Sequence, residues 1–99
     1  MVKNINENEF EKEIEKGKVL VDFYASWCGP CKMLSPVIEE FSEKYSDIKF
    51  LKVNVDNELQ LAQKFNVMSI PTLILFEDGK EIKKNIGLLS KTDLEEFIK

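Results

Sequence analysis

The sequence predicts an α/β fold in which one mixed sheet is covered by helices on both faces. Three observations carry this expectation. Val19 to Ala25 is a nearly continuous apolar run rich in β-branched and aromatic residues. Leu34, Val37, Ile38, Phe41 and Tyr45 then recur at steps of three and four before a second apolar run, Ile48 to Val55. Finally, Asp78-Gly79 separates two further runs, Thr72 to Glu77 and Glu81 to Ile86. A strand covered on both faces reads as an unbroken apolar run. A helix packed on a sheet shows a stripe with a 3.6-residue period, and Asp-Gly suits a tight hairpin turn. The first half is therefore strand, helix, strand with a parallel pair, and the second is an antiparallel hairpin followed by a helix.

Taken in order, Asn6 and Glu9 form a capping-box pattern and Phe10 and Ile14 share a face, so a short helix over 7–16 is expected, with Gly17 as its stop. The strand Val19 to Ala25 follows, spoiled only by Asp22. The long helix starts at Pro30 and contains Pro36, which should kink it. After the strand Ile48 to Val55, Asp56 or Asn57 caps a third helix presenting Leu61, Ala62 and Phe65. The hairpin strands come next, and Ser90 with Asp93 caps a last helix carrying Leu94, Phe97 and Ile98. No repeat or linker interrupts the 99 residues, which make a single domain over 1–99.

Composition excludes several function classes. With 14 basic and 18 acidic residues, a net charge of −4 and no dense Lys/Arg cluster, nucleic acid is not an expected partner. The first 18 residues are charged throughout and the longest unbroken aliphatic or aromatic run is Leu73 to Phe76, so neither an export signal nor a membrane span is expected. There is no histidine, which removes Ser-His and Cys-His nucleophile pairs and most zinc sites. Two cysteines, Cys28 and Cys31, are too few for a disulfide framework, and a reducing compartment such as the cytoplasm fits best.

Those two cysteines lie in Trp27-Cys28-Gly29-Pro30-Cys31-Lys32, where the buried strand ends and the long helix begins. Three apart at a helix N-terminus, they share a face and are close enough to form a disulfide. The unpaired N–H groups and positive dipole end there favour an anion at the first sulfur. Greater acidity is partly returned as lower nucleophilicity, so the larger advantage is proximity: once Cys28 holds a mixed disulfide, Cys31 stands beside it. As a staple the pair would be weak, constraining the unfolded chain by only about 2 kcal/mol. As a metal site it lacks two soft ligands, and only a dimer-bridging four-cysteine site would serve. Redox chemistry is the favoured reading, with no metal.

Asp22 is anomalous in a buried strand. Burial should raise its pKa, which suits a proton acceptor for Cys31; a solvent-facing strand position or an ion pair with Lys52 are equal alternatives. The Ile70-Pro71-Thr72 step opens the hairpin half and is by itself an ordinary strand start. Trp27 belongs to a residue type found more often in the core than on a contact surface, although beside a reactive sulfur it would shield the site and touch substrate.

These stretches together resemble the thioredoxin family over essentially the whole chain: Val-Asp-Phe-Tyr-Ala-Ser-Trp-Cys-Gly-Pro-Cys-Lys (21–32), Lys-Val-Asn-Val-Asp (52–56), Ile-Pro-Thr-Leu-Ile-Leu-Phe (70–76) and Gly87. The resemblance implies a five-stranded mixed sheet flanked by four helices, with Met1 to Ile5 supplying an edge strand that the periodicity leaves as coil. It implies that Cys28 attacks, Cys31 resolves, Asp22 assists as a buried acid/base and Lys52 tunes Asp22. Pro71 would be cis and face the sulfurs. Trp27, Gly29, Pro30, Ile70, Pro71 and Gly87 would ring a shallow groove where an extended substrate pairs beside Ile70. The implied activity is reduction of disulfides in protein substrates by a monomer. No bound cofactor is implied beyond the Cys28–Cys31 couple, which an NADPH- or ferredoxin-linked reductase would regenerate. A disulfide oxidase or isomerase of the same fold, and a groove-binding module independent of thiol chemistry, are the rival readings. Two positions depart from the family's habit. Tyr24 stands where Trp is usual, adding a hydroxyl that needs a partner if buried, and Ser69 borders the groove.

Overall fold

The computed structural model describes all 99 residues. The elements are β1 (Val2–Asn4), α1 (Glu7–Ile14), β2 (Lys18–Tyr24), α2 (Gly29–Lys44), β3 (Ile48–Asn54), α3 (Leu59–Lys64), β4 (Thr72–Glu77), β5 (Lys80–Ile86) and α4 (Lys91–Phe97). The sheet order is β1-β3-β2-β4-β5. β1 and β2 both run parallel to β3, whereas β2–β4 and β4–β5 are antiparallel. The mixed sheet, its parallel half and its hairpin half thus stand as expected, and β1 is the edge strand that the resemblance implied.

Period-2 alternation along β2 divides its side chains between two cores. Val19, Val21 and Phe23 face a cluster that includes Phe10 and Ile14 of α1, Leu61 of α3 and Phe76 of β4. Leu20 faces the opposite cluster, with Leu34, Ile38 and Phe41 of α2 and Leu94 and Ile98 at the C-terminal end of the chain. The first core is cemented by aromatic edges: Phe10, Phe65 and Phe76 stand with ring centroids 5.1–5.7 Å apart. Central β2 is covered on both sides, which is why it reads as a continuous apolar run.

The local signals are realised at close range. Asn6 accepts the Glu9 N–H at 3.1 Å while the Glu9 carboxylate accepts the Asn6 N–H at 3.0 Å, completing the capping box. Asp78 and Gly79 both adopt positive φ, 51° and 85°, as the hairpin turn requires. Ser90 accepts the Asp93 N–H at 3.0 Å. Ser90→Ala should lower the unfolding free energy by about 1 kcal/mol, and the melting temperature by roughly 4–8 °C, in thermal and urea denaturation.

Some expectations are corrected. α1 stops at Ile14 rather than residue 16, because Gly17 (φ 71°) is tied to the distant hairpin tip. Its N–H donates to Asp78 Oδ1 at 2.8 Å and its carbonyl accepts the Asp78 N–H at 3.0 Å. Neither Asp56 nor Asn57 caps α3. The Asn54 side chain takes the Asp56 N–H and the Asn54 carbonyl takes those of Asn57 and Glu58, so a turn is completed first; Glu58 is the N-cap and makes no side-chain cap bond. Helix α2 begins at Gly29, one residue before Pro30, and contains Pro36. The strands over 19–25, 48–55 and 81–86 each shift by one residue at one or both ends.

Candidate active site

Helix α2 begins where β2 ends at the centre of the sheet, and this junction carries the cysteines. Cys28 is the N-cap of α2: its backbone is extended (φ −85°, ψ 113°) and its Sγ receives the Cys31 N–H at 3.2 Å. The sulfur therefore occupies the place where a helix start presents unpaired donors and the positive end of its dipole. Pro30, in the first turn, forfeits no hydrogen bond there. Cys28 and Cys31 are joined in a disulfide with Cα atoms 5.2 Å apart, and both residues are 4% exposed. They pack with Ala25 against Tyr24, Val55 and Ile70.

The two sulfurs have different surroundings. Cys28 is flanked by exposed Trp27, Gly29 and Pro30, and its Sγ lies 3.9 Å from the Ile70 carbonyl oxygen. Cys31 instead lines a cavity of about 130 Å³ with Asp22, Tyr24, Ala25, Ser26, Lys32, Ser35 and Lys52. The two residues are equally buried and differ in their neighbours: Cys28 caps the helix beside Ile70, and Cys31 shares a cavity with Asp22.

Asp22 reaches that cavity because alternation turns it, with Leu20, toward α2. It is 4% exposed and its Oδ1 has no hydrogen-bond partner. Burial away from water pushes its pKa from 3.8 up to about 7, against a smaller opposing pull from the Lys52 charge. Lys52 is its register partner on β3, yet its ammonium sits over the Tyr24 ring, 5.5 Å from the centroid, and the two groups form no ion pair within 4.0 Å. Burial and the missing Lys52 contact argue against the solvent-facing position and the ion pair; Asp22 is a buried carboxyl, on the same cavity as Cys31, that changes its charge near neutral pH.

Ile70-Pro71 is a cis peptide bond. The Pro71 carbonyl accepts the Gly87 N–H at 2.8 Å, and Thr72 Oγ1 donates to the Ser69 carbonyl at 2.6 Å. Between them, Ile70 makes no backbone–backbone hydrogen bond. Gly87 adopts φ 93°, where a side chain would be strained, which accounts for glycine at the residue tied to Pro71.

Trp27 is 69% exposed, not a core residue, and is held at the surface by a 2.8 Å hydrogen bond from its Nε1 to Asp56 Oδ2. The Tyr24 hydroxyl finds its partner on the edge strand, accepting from Asn4 Nδ2 at 2.9 Å. Of the residues singled out by sequence reading, Trp27, Gly29 and Pro30 adjoin Cys28 in the chain, Ile70 packs against the disulfide, Asp22 and Lys52 line the Cys31 cavity, and Gly87 is tied to Pro71 next to Ile70. Sequence reading missed Asp56 as the anchor of Trp27, and Ser35 as part of the cavity wall. Ser35 lies four residues after Cys31, so the helical period carried a signal for it; Asp56 lies 29 residues from its partner and carried none.

The thioredoxin family profile matches residues 1–99. A thioredoxin of Chlamydia trachomatis is 45% identical over 98 residues, covering 99% of this chain and 96% of that protein. The structure of Plasmodium falciparum thioredoxin superposes with a TM-score of 0.91 at 35% identity, covering 97% of this chain and 95% of the other. Oxidised mitochondrial thioredoxin 3 from Saccharomyces cerevisiae gives 0.90 at 38% identity, with 98% and 92% covered.

Proposed function

The chain belongs to the thioredoxin family, and from that premise we propose the part that each active-site residue takes. The protein is a thiol–disulfide oxidoreductase that reduces protein disulfides by dithiol exchange through Cys28 and Cys31. Its redox couple is its own disulfide, its substrates are disulfide-bearing proteins, and a thioredoxin reductase restores the dithiol.

In the reduced protein the Cys28 thiolate attacks one sulfur of a substrate disulfide. A Cys28–substrate S–S bond forms, and the other substrate sulfur leaves as thiolate and takes a proton from solvent. Cys31 then gives its thiol proton to Asp22 across the cavity and attacks Cys28 Sγ. The second substrate sulfur is released, and the two electrons of the dithiol have passed to the substrate. Lys52 tunes Asp22 by its charge, which opposes part of the effect of burial.

The observation that carries the substrate site is Ile70, whose backbone makes no backbone partner bond and whose carbonyl lies 3.9 Å from the attacking sulfur. Free main-chain groups of this kind accept an extended peptide as an added strand. Trp27, Gly29, Pro30, Pro71 and Gly87 form the surrounding groove. One sheet with a core on each face supports a single domain over 1–99. No helix is long and apolar enough to cross a membrane.

The test is electron counting. Reduced protein alone should convert one substrate disulfide per dithiol, and turnover should become catalytic with NADPH and a flavoprotein reductase or with reduced ferredoxin and its own reductase. Whichever pair drives turnover identifies the donor. A dithiol that transfers no electrons to a protein disulfide would sink the reading. Titration in glutathione buffers separates the oxidase rival, because a reductant's pair stays oxidised in buffers that reduce an oxidase's.

A further inference from the structure

Helix α3 leads directly into the groove. Its last turn ends with Phe65 as C-cap and Asn66 in the left-handed region at φ 56°; the Val67 N–H reaches back to the Ala62 carbonyl at 2.8 Å and the Asn66 N–H to Gln63 at 3.1 Å. This closing motif leaves the Phe65 and Asn66 carbonyls to find donors outside the helix. Both find the same one. Lys84 of β5 donates from Nζ to the Phe65 carbonyl at 2.8 Å and to the Asn66 carbonyl at 3.2 Å, a cation at the negative end of α3.

The segment that starts at this clamp, 67–71, carries Ile70. At its far end it is tied again, by the Gly87 N–H on the Pro71 carbonyl and by Thr72 on Ser69. Lys84 and Gly87 are close neighbours at the end of one strand and the turn after it. The groove wall therefore hangs between two attachments to the β5 side of the sheet. Alternation sends the preceding lysine to the other face, where Lys83 Nζ reaches the Phe97 carbonyl at 3.1 Å at the end of α4.

We propose that Lys84 is a positioning residue for protein substrates, its ammonium pinning the end of α3 so that the free Ile70 backbone stays in register with Cys28. The inference rests on the reading of Ile70 as the substrate-pairing edge. Small disulfides, which need only the sulfur, do not depend on it.

Lys84→Met keeps an apolar stem and removes the ammonium. It should raise KM for a protein disulfide about 5-fold while kcat/KM for 2-hydroxyethyl disulfide stays within about 2-fold, the split expected when positioning and not chemistry is lost. Amide exchange at Val67 to Ile70 should quicken about 10-fold. Lys84→Arg should restore both readouts, and Lys83→Met, which removes a comparable helix-end contact on the other face, should change neither. Trp27→Ala separates the two levels of the claim. If it raises the protein-substrate KM and Lys84→Met does not, the clamp is overturned and the groove stands; if neither variant moves KM, both are overturned. Equal slowing of protein and small disulfides by Lys84→Met would likewise overturn the positioning role.

Discussion

Mixed with an excess of a disulfide-bearing protein, the Cys31→Ser variant should accumulate a covalent adduct through Cys28 that dithiothreitol releases, whereas Cys28→Ser should form no adduct and lose disulfide reduction. Both outcomes follow from the unequal surroundings of the two sulfurs. Cys28 is the N-cap, flanked by exposed residues and 3.9 Å from the Ile70 carbonyl, while Cys31 lines the cavity with Asp22. Once the mixed disulfide has formed, the resolving thiol is held by the backbone at a Cα separation of 5.2 Å, which makes release intramolecular. Effective molarities for well-oriented groups reach about 10⁵ M, so against millimolar external thiol removing Cys31 should slow release by up to about 10⁸-fold. Non-reducing electrophoresis and mass spectrometry of the trapped species read the result. An adduct on Cys31 in the Cys28→Ser variant, with turnover retained, would reverse the assignment.

Asp22→Asn should change how stability depends on pH. The carboxyl titrates near 3.8 when unfolded and at about 7 when folded, because burial disfavours the charged form more than Lys52 favours it. A raised carboxyl pKa means that the folded state binds the proton more tightly. The contribution of Asp22 to stability is therefore greatest below about pH 4, falls as pH rises through the window from 3.8 to about 7, and levels off above it. The full fall is about 4 kcal/mol, because every pH unit between the unfolded and folded values is worth about 1.4 kcal/mol. An amide does not titrate, so the variant should lack this slope. Its own buried-amide cost is the same at every pH and moves only the baseline. Urea melts at pH 4, 6 and 8 check the difference, and parallel slopes for the two proteins would show that Asp22 does not carry the ionisation penalty.

The same substitution should slow release of the mixed disulfide by about 10-fold near pH 7, where the native carboxylate accepts the Cys31 proton. The gap should narrow at lower pH, where Asp22 is already protonated, and at higher pH, where the thiol ionises without help. A rate difference that stays constant across pH would return Asp22 to a purely structural role.

What could be read in the chain, and what could not, divides by distance along the backbone. The N-terminal box at Asn6 and Glu9, the Asp78-Gly79 turn, the Ser90 cap and the paired cysteines at a helix start each involve residues within four positions of one another, so local geometry is enough. The two-sided burial of β2 was equally legible, because a strand with a core on each face has nowhere to place polar side chains. Asp22 stood out for that reason, but its state did not follow. Whether Lys52 neutralises it depends on where an ammonium goes across two strands, and here the ammonium lies over the Tyr24 ring, leaving one carboxylate oxygen unpartnered.

The sequence by itself thus determined the elements after β1, their order and the reactive pair, since period, caps and turn residues act through neighbours in the chain. Only the tertiary structure decided the end of α1, the surface position of Trp27 and the clamp of Lys84 on the end of α3. Each rests on a hydrogen bond to a group well away in sequence: Gly17 to Asp78, Trp27 to Asp56 and Lys84 to Phe65. Such a partner has no signature in local propensity, because its energy exists only after the sheet has brought the two groups together.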